Sequence, residues 1–321
     1  MDKQGPQLSL YEKMYLIRSA ENEIKENYFD DEMKTPMHMS MGEEAIVVGA
    51  CSALDKKDQI FGTFRSHGIY LAKTGETDGF FAEFYGKESG ACKGKGGSMH
   101  LINPEYGFMG TSAIVSGIIP TAVGCAFANK IQKNGKVVIV FLGDGATEEG
   151  DFWESINIAS LMKLDIVFLC EDNGLAVYTD KSSRKGYKSI SEIVSKFDIK
   201  VIGSKSTDVD IIYELMSDCV NDIRQNGGPY FAHMEYYRYL DHVGTTEDFG
   251  SGYRDKKEFL KWYKNDPIAI KRNKLISMGL KEEFICNIEA GITSKVQESL
   301  AKAKESKFPL DSDLLKEVFS E

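Results

Sequence analysis

The apolar positions of this chain follow two rhythms, and their alternation predicts an α/β fold. Residues 137–142 and 166–170 are continuous apolar runs, as strands buried on both faces require. Between them, residues 149–163 are amphipathic at helical spacing. A strand, turn, helix and second parallel strand bring two carboxyl ends side by side, where open α/β sheets bind ligands.

The same two rhythms extend in both directions. Residues 9–27 place Leu10, Met14, Ile17 and Ile24 at helical spacing, with Ser9 as the expected cap and Glu12 three residues on. A second helix is expected after Gly42, through Ala45, Val48 and Ala50. Residues 59–64 read as a strand that delivers Arg65 and His67 at its end. Residues 117–133 read as a buried helix whose small residues Ala122, Gly124, Ala126 and Ala128 admit a close neighbour, such as another subunit. Residues 190–197 (helix), 199–202 (strand), 209–224 (helix) and 229–236 (strand) continue the alternation. The pattern predicts a doubly wound, mostly parallel sheet. No linker or repeat divides the chain. Residues 1–321 are therefore expected to form one domain, with helical extensions at about 1–55 and about 253–321.

Two stretches break the rhythm. Gly94, Gly96 and Gly97 crowd residues 93–100, and such density lets backbone amides approach a ligand or another chain. Met99, Leu101 and Phe108 predict that this segment is packed down. Residues 179–188, with Lys181, Arg184 and Lys185, are expected to form a mobile loop.

Composition narrows the classes of function. A net charge of −10 over 321 residues excludes a general nucleic-acid binder. No apolar run is long enough to cross a bilayer, and residues 1–6 lack the apolar core of a secretory signal. The six cysteines are scattered without a C-x-x-C pair, which suits a reduced cytoplasmic protein rather than a disulfide or zinc framework.

Candidate chemistry gathers at the two central strand ends. Gly143, Asp144 and Gly145 close the first run, and Asn173 follows the second. A carboxylate and a carboxamide are hard oxygen donors of the kind magnesium prefers. The amides of Gly145 and Ala146 are expected to open the next helix and to face an anion. Glu148, Glu149, Asp151 and Glu154 read as the acidic complement of that helix start, not as further ligands. Arg65 is a natural clamp for a diphosphate. Of the five histidines, His233 reads as structural, whereas His38, His67, His100 and His242 fall in loops or at element ends. No nucleophile elbow, P-loop or dinucleotide fingerprint is present. The residues by themselves describe a site for a divalent cation and a diphosphate, with histidines nearby.

Taken together, these motifs resemble the α subunit of the E1 component of thiamine-diphosphate-dependent 2-oxo acid dehydrogenases, of the pyruvate and acetoin dehydrogenase type. Residues 143–146 with Asn173 resemble the thiamine-diphosphate motif, and residues 64–68 and 93–100 resemble two signatures of this subunit. The resemblance implies that Asp144, Asn173 and the Leu175 carbonyl hold Mg²⁺. It implies that Phe64, Arg65, Gly143, Gly145 and Ala146 surround the diphosphate, and that Ala113, Ile114 and Val115 meet the aminopyrimidine. His242 matches the active-site histidine, and His38 and His67 match positions facing the substrate channel. The implied activity is decarboxylation of a 2-oxo acid, or cleavage of acetoin, with transfer of the acyl group to the lipoyl arm of an E2 acyltransferase. The glutamate that activates the cofactor belongs to a β subunit in this family. An α2β2 heterotetramer, inactive as the lone chain, is therefore implied.

Several positions depart from the family pattern. Phe64 stands where Tyr is usual, Asp172 where Asn is common, and Ser116, Gly117 and Ile118 alter the pyrimidine segment. Asp241 and Val243 flank His242 where Gly and Ser are usual, so Asp241 is expected to favour a charged His242. These departures leave open two alternatives: a two-subunit carboligase or decarboxylase without lipoyl transfer, and a non-catalytic assembly subunit.

Overall fold

The computed structural model describes residues 4–316. Helices α1 (Gln4–Asn27) and α2 (Glu44–Ser52) lead into β1 (Gln59–Thr63), α3 (His67–Thr74), α4 (Asp78–Phe84) and β2 (Phe108–Ser112). Then come α5 (Ile118–Gln132), β3 (Val138–Gly143), α6 (Gly150–Met162) and β4 (Ile166–Asp172). A small hairpin of β5 (Leu175–Ala176) and β6 (Thr179–Asp180) precedes α7 (Ile190–Val194), β7 (Lys200–Ser204), α8 (Val209–Asn226) and β8 (Tyr230–Glu235). Helices α9 (Lys256–Tyr263), α10 (Pro267–Ser277) and α11 (Glu282–Glu305) follow. The expected extensions also take in residues 1–3 and 317–321, which lie outside the described residues.

The main sheet runs β2-β1-β3-β4-β8-β7, and every pairing in it is parallel. Its core follows from the period of two along a strand. On one face Val140 and Leu142 pack with Phe152 and Ile156 of α6. On the other, Ile139 and Phe141 join Ile46 of α2 and Ile212 of α8. Helices therefore cover both faces, as the continuous apolar runs require. Among the described residues no helix is long and apolar enough to cross a membrane.

The structure corrects several expectations. Helix α1 begins at Gln4, so Ser9 lies inside it; Pro6 sits in the first turn, where its missing N–H costs nothing. Helix α5 is buried on one face only: Ala122 and Ala126 are covered, whereas Phe127 and Ile131 are exposed. Strand β2 at the sheet edge has no sequence signal, because Gly110 and Thr111 interrupt its apolar pattern. Residues 179–188 are not a free loop, since β5 and β6 fold them back over the carboxyl ends of β3 and β4.

Candidate cofactor site

Strands β3 and β4 pair without a register shift from Val138–Ile166 to Gly143–Glu171, so their carboxyl ends coincide. After Gly143 the chain makes a 3-10 turn (Asp144–Glu148) before α6 begins at Gly150. Gly145 and Ala146 thus lie in this turn rather than opening the helix. The Thr147 hydroxyl donates to the Asp144 carbonyl (2.7 Å) and tightens the turn. A Cβ on Gly145 would come within 3.1 Å of the Ala176 side chain, so glycine permits the hairpin to approach.

Beyond β4, Asn173 is held at both ends of its amide. Its Oδ1 accepts from the Leu175 N–H (3.0 Å), and its Nδ2 donates to the Tyr236 hydroxyl (3.1 Å). Tyr236 arrives because β8 pairs beside β4, and its N–H donates to the Asp172 carbonyl (3.0 Å). Between the strand ends opens a cavity of about 270 Å³, walled by Phe64, Arg65, Val115, Gly143, Asp144, Gly145, Ala146, Asn173, Leu175 and His242. Ile114 and Val115 face it from the loop after β2, whereas Ala113 does not, and its N–H donates to His100 Nε2 instead (3.4 Å).

The charges here are buried and paired. Burial and the neighbouring Asp172 push the Asp144 carboxyl up, against the pull of Arg184 and Lys185. Burial also pushes Asp172 up, but the hydrogen bond from His233 Nε2 (2.8 Å) and the charge of Lys181 outweigh it and hold it well below the usual carboxylate range. Beneath the cavity, burial raises Glu43 to about 8 and Glu171 well above its ordinary value, so both tend to keep their protons.

The histidines separate into distinct environments. His242 stands in an aromatic cluster with His38 (centroids 5.4 Å apart) and Phe64 (5.5 Å). Arg65 donates to the Met39 carbonyl (2.7 Å) and to the His242 carbonyl (3.2 Å), which fixes the cluster. Burial, together with the Arg65 charge, lowers His38 and His242 to about 3. The expectation that Asp241 favours a charged His242 fails: Asp241 accepts from the His242 backbone N–H (2.6 Å), and burial beside Arg65 and Arg238 governs the ring. His38 lies behind Phe64 and is not a cavity wall. His67 is a core residue, fully buried against Phe80 and Phe84 with Nδ1 3.1 Å from Glu21 Oε1, so it does not face the cavity. His233 bridges Asp172 and Ser191 at the far side of β8, in keeping with its structural reading.

The glycine-rich segment is packed down, though not around a ligand. The amides of Cys92, Gly94, Gly96 and Gly97 all point inward at the buried Glu83 carboxylate, at 2.7 to 3.0 Å. Ser98 then braces a strap of residues 35–39, donating its N–H to Thr35 Oγ1 (3.0 Å) and its hydroxyl to the Pro36 carbonyl (2.6 Å). That strap carries His38 and Met39 toward Arg65.

Sequence reasoning missed Glu171, Tyr236 and Ser116 as cavity walls. Tyr236 had a usable signal, because it ends the strand expected over residues 229–236. Ser116 (φ 64°) and Val177 (φ 56°) both take left-handed backbone conformations at the cavity, and Val177 is β-branched. Strain of this kind collects at functional sites.

Known proteins resemble this chain along almost its whole length. The chain matches the dehydrogenase E1 component family over residues 12–311. It is 31% identical to the alpha subunit of acetoin:2,6-dichlorophenolindophenol oxidoreductase of Bacillus subtilis, covering 97% of this chain and 93% of that one. It is 32% identical to the chloroplastic pyruvate dehydrogenase E1 component subunit alpha-3 of Arabidopsis thaliana (98% and 74% covered). It is 29% identical to the pyruvate dehydrogenase E1 component subunit alpha of Zymomonas mobilis (96% and 86% covered). With a parallel α/β sheet, a cavity at its carboxyl edge and likeness along almost the whole length, the chain belongs to the dehydrogenase E1 component family as an alpha-type oxidoreductase subunit of the 2-oxo acid dehydrogenases.

Proposed function

We propose that the cavity binds thiamine diphosphate with Mg²⁺, and that the chain decarboxylates a pyruvate-like 2-oxo acid when joined by a β subunit. One observation carries the reading: Asp144 and Asn173 stand at the ends of adjacent parallel strands and wall the same cavity, with Arg65, Gly145 and His242.

The donors fit the cofactor. The Asp144 carboxylate, the Asn173 carboxamide and the Leu175 carbonyl are hard oxygens suited to Mg²⁺. Only one of the three is charged, so an Mg²⁺ held there would keep positive charge that suits an anionic diphosphate. Gly145 and Ala146 offer backbone N–H groups, and Arg65 keeps donors beyond those spent on Met39 and His242. Phe64 supplies an apolar wall, and Val115 offers the pyrimidine an apolar contact from the β2 side. Bound thiamine diphosphate supplies the electron sink for decarboxylation. His242, held near 3, stays neutral at physiological pH and presents one N–H and one lone pair rather than a charge. His38 supports that ring from behind, and His67 has no direct part.

The relatives' alpha-subunit names support a β partner in the E1 complex, and the family resemblance supports an α2β2 assembly that passes its acyl group to a lipoyl E2. Ile114 at the cavity and Phe127 and Ile131 on α5 are exposed, as a subunit interface requires. The test is to measure thiamine diphosphate–Mg²⁺ binding and 2-oxo acid decarboxylation by the chain with and without its β subunit. Activity is expected only with both. Asp144→Asn should raise the cofactor Kd by more than about 100-fold, exceeding the usual effect of outer-shell changes. Enzymatic turnover by the lone chain, or unchanged binding by Asp144→Asn, would overturn the proposal.

A further inference from the structure

Residues 181–185 place three cations over the acidic mouth of the cavity. Arg184 uses both terminal nitrogens, pairing Nη2 with Asp144 Oδ2 and Nη1 with Glu148 Oε1. Lys185 Nζ stands 3.6 Å from the same Asp144 oxygen, and Lys181 Nζ is 3.4 Å from Asp172 Oδ2. The Arg184 and Lys185 side chains are only 8% exposed. Their positions are fixed by the backbone beneath them. The Lys181 N–H donates to the Gly174 carbonyl (3.1 Å), and the Arg184 Nε donates to the Thr179 carbonyl (3.1 Å). The Tyr187 hydroxyl lies 3.2 Å from Thr147 Oγ1 in the turn that carries Asp144. The segment is thus tied to both strand ends of the site.

A buried carboxylate needs a counter-charge, because an unpaired charge in a low-dielectric setting is costly. Arg184 provides it for Asp144 here. A divalent cation on the same oxygen competes with Arg184 for it, since two positive centres at contact distance repel each other. A cation that arrives with a diphosphate also brings new anionic oxygens, which suit a planar guanidinium with two parallel donors. The arginine can leave the carboxylate for the diphosphate and lose no partner in the exchange.

We propose that Arg184, with Lys185 beside it, is a further residue of the cofactor site. It serves as an exchangeable counter-ion that neutralises Asp144 and passes to the diphosphate when the metal takes Asp144. The inference rests on the reading of Asp144 as a metal ligand. It explains why a basic segment that the sequence marks as a loose loop is tied to the strand ends. It also predicts that metal and cofactor affinity respond in opposite directions to loss of the arginine.

The test uses the chain assembled with its β subunit. Mn²⁺ alone is titrated and followed by electron paramagnetic resonance; thiamine diphosphate is then titrated at saturating Mn²⁺. In Arg184→Gln, Mn²⁺ alone is expected to bind about tenfold more tightly, because its competitor is gone, and thiamine diphosphate about tenfold more weakly, both within the usual range of coupling between sites. Lys185→Gln should show the same two signs with smaller changes, which keeps the test decisive if Arg184→Gln folds poorly. Loss of both affinities together, or no change in either, overturns the exchange. Asp144→Asn in the same titrations separates the two ideas. If it leaves Mn²⁺ binding intact, the metal-site reading itself fails; if it weakens binding while the Arg184 and Lys185 variants behave as wild type, only the exchange fails.

Discussion

Glu83 offers the sharpest test of how the site's surroundings are held. It is 1% exposed, and residues 92–97 are wound around its carboxylate. Oε2 accepts from Cys92 N (2.7 Å) and Gly94 N (3.0 Å); Oε1 accepts from Gly96 N (2.7 Å) and Gly97 N (3.0 Å). Glycine is required for this wrapping, since Gly94 and Gly97 both have positive φ and a Cβ on Gly90 would lie 2.4 Å from Oε2. Glu83→Gln keeps the shape and replaces one oxygen with an amino group. That group meets two N–H donors, so two hydrogen bonds are lost and two donors face a third. Each buried donor left unsatisfied costs about 1–3 kcal/mol. The segment is half-buried and gains water as it loosens, so a total of about 2–4 kcal/mol is expected. For a chain of this length that lowers Tm by roughly 2 °C per kcal/mol, or about 4–8 °C. Calorimetry measures the shift. Hydrogen exchange should locate it, with faster exchange at Gly94, Gly96 and Gly97 and unchanged protection in β4. A variant that melts within about 1 °C of wild type, with those amides still protected, would show that Glu83 does not organise the segment.

Two further outcomes follow from the buried groups behind the cavity. Tyr236→Phe removes the acceptor of Asn173 Nδ2 and frees the amide to turn, so the Mg²⁺ requirement for cofactor binding should rise about tenfold with little loss of far-UV ellipticity; an unchanged metal titration would count against the positioning role. Glu43 is raised from 4.5 to about 8 by burial, so its contribution to stability is full below pH 4.5 and is lost as pH rises through 8. Between pH 5 and 7.5 stability is therefore expected to fall as pH rises. Glu43→Gln should flatten the urea-unfolding stability across this window, and equal slopes for the two proteins would refute the assignment.

The parallel sheet was legible because β3 and β4 are apolar at every position that both flanking helix layers cover, a constraint written into consecutive residues. Asp144 and Asn173 could be placed for the same reason: each directly follows such a strand, and parallel pairing leaves both at one edge. The motifs around them sufficed for the family. The glycine-rich segment showed its density but not its purpose, because Glu83, which it wraps, belongs to an earlier helix with no local link to it. His67 carries the same local signals as a ligand-facing histidine, yet its helix turns it toward Phe80, Phe84 and Glu21.

What the sequence alone determined was the sheet and the strand ends with Asp144 and Asn173 beyond them, since periodicity and adjacency act over a few residues. What only the tertiary structure decided was which side chains face those two residues. Tyr236, Arg184 and Arg65 reach the site from the end of β8, the segment after the β5–β6 hairpin and the end of β1. Their effects depend on burial and on charge separation of a few ångströms, and neither can be computed along the chain. The neutral His242 shows the difference: its neighbour Asp241 suggested a positive ring, but desolvation and the arginines folded beside it keep the proton off.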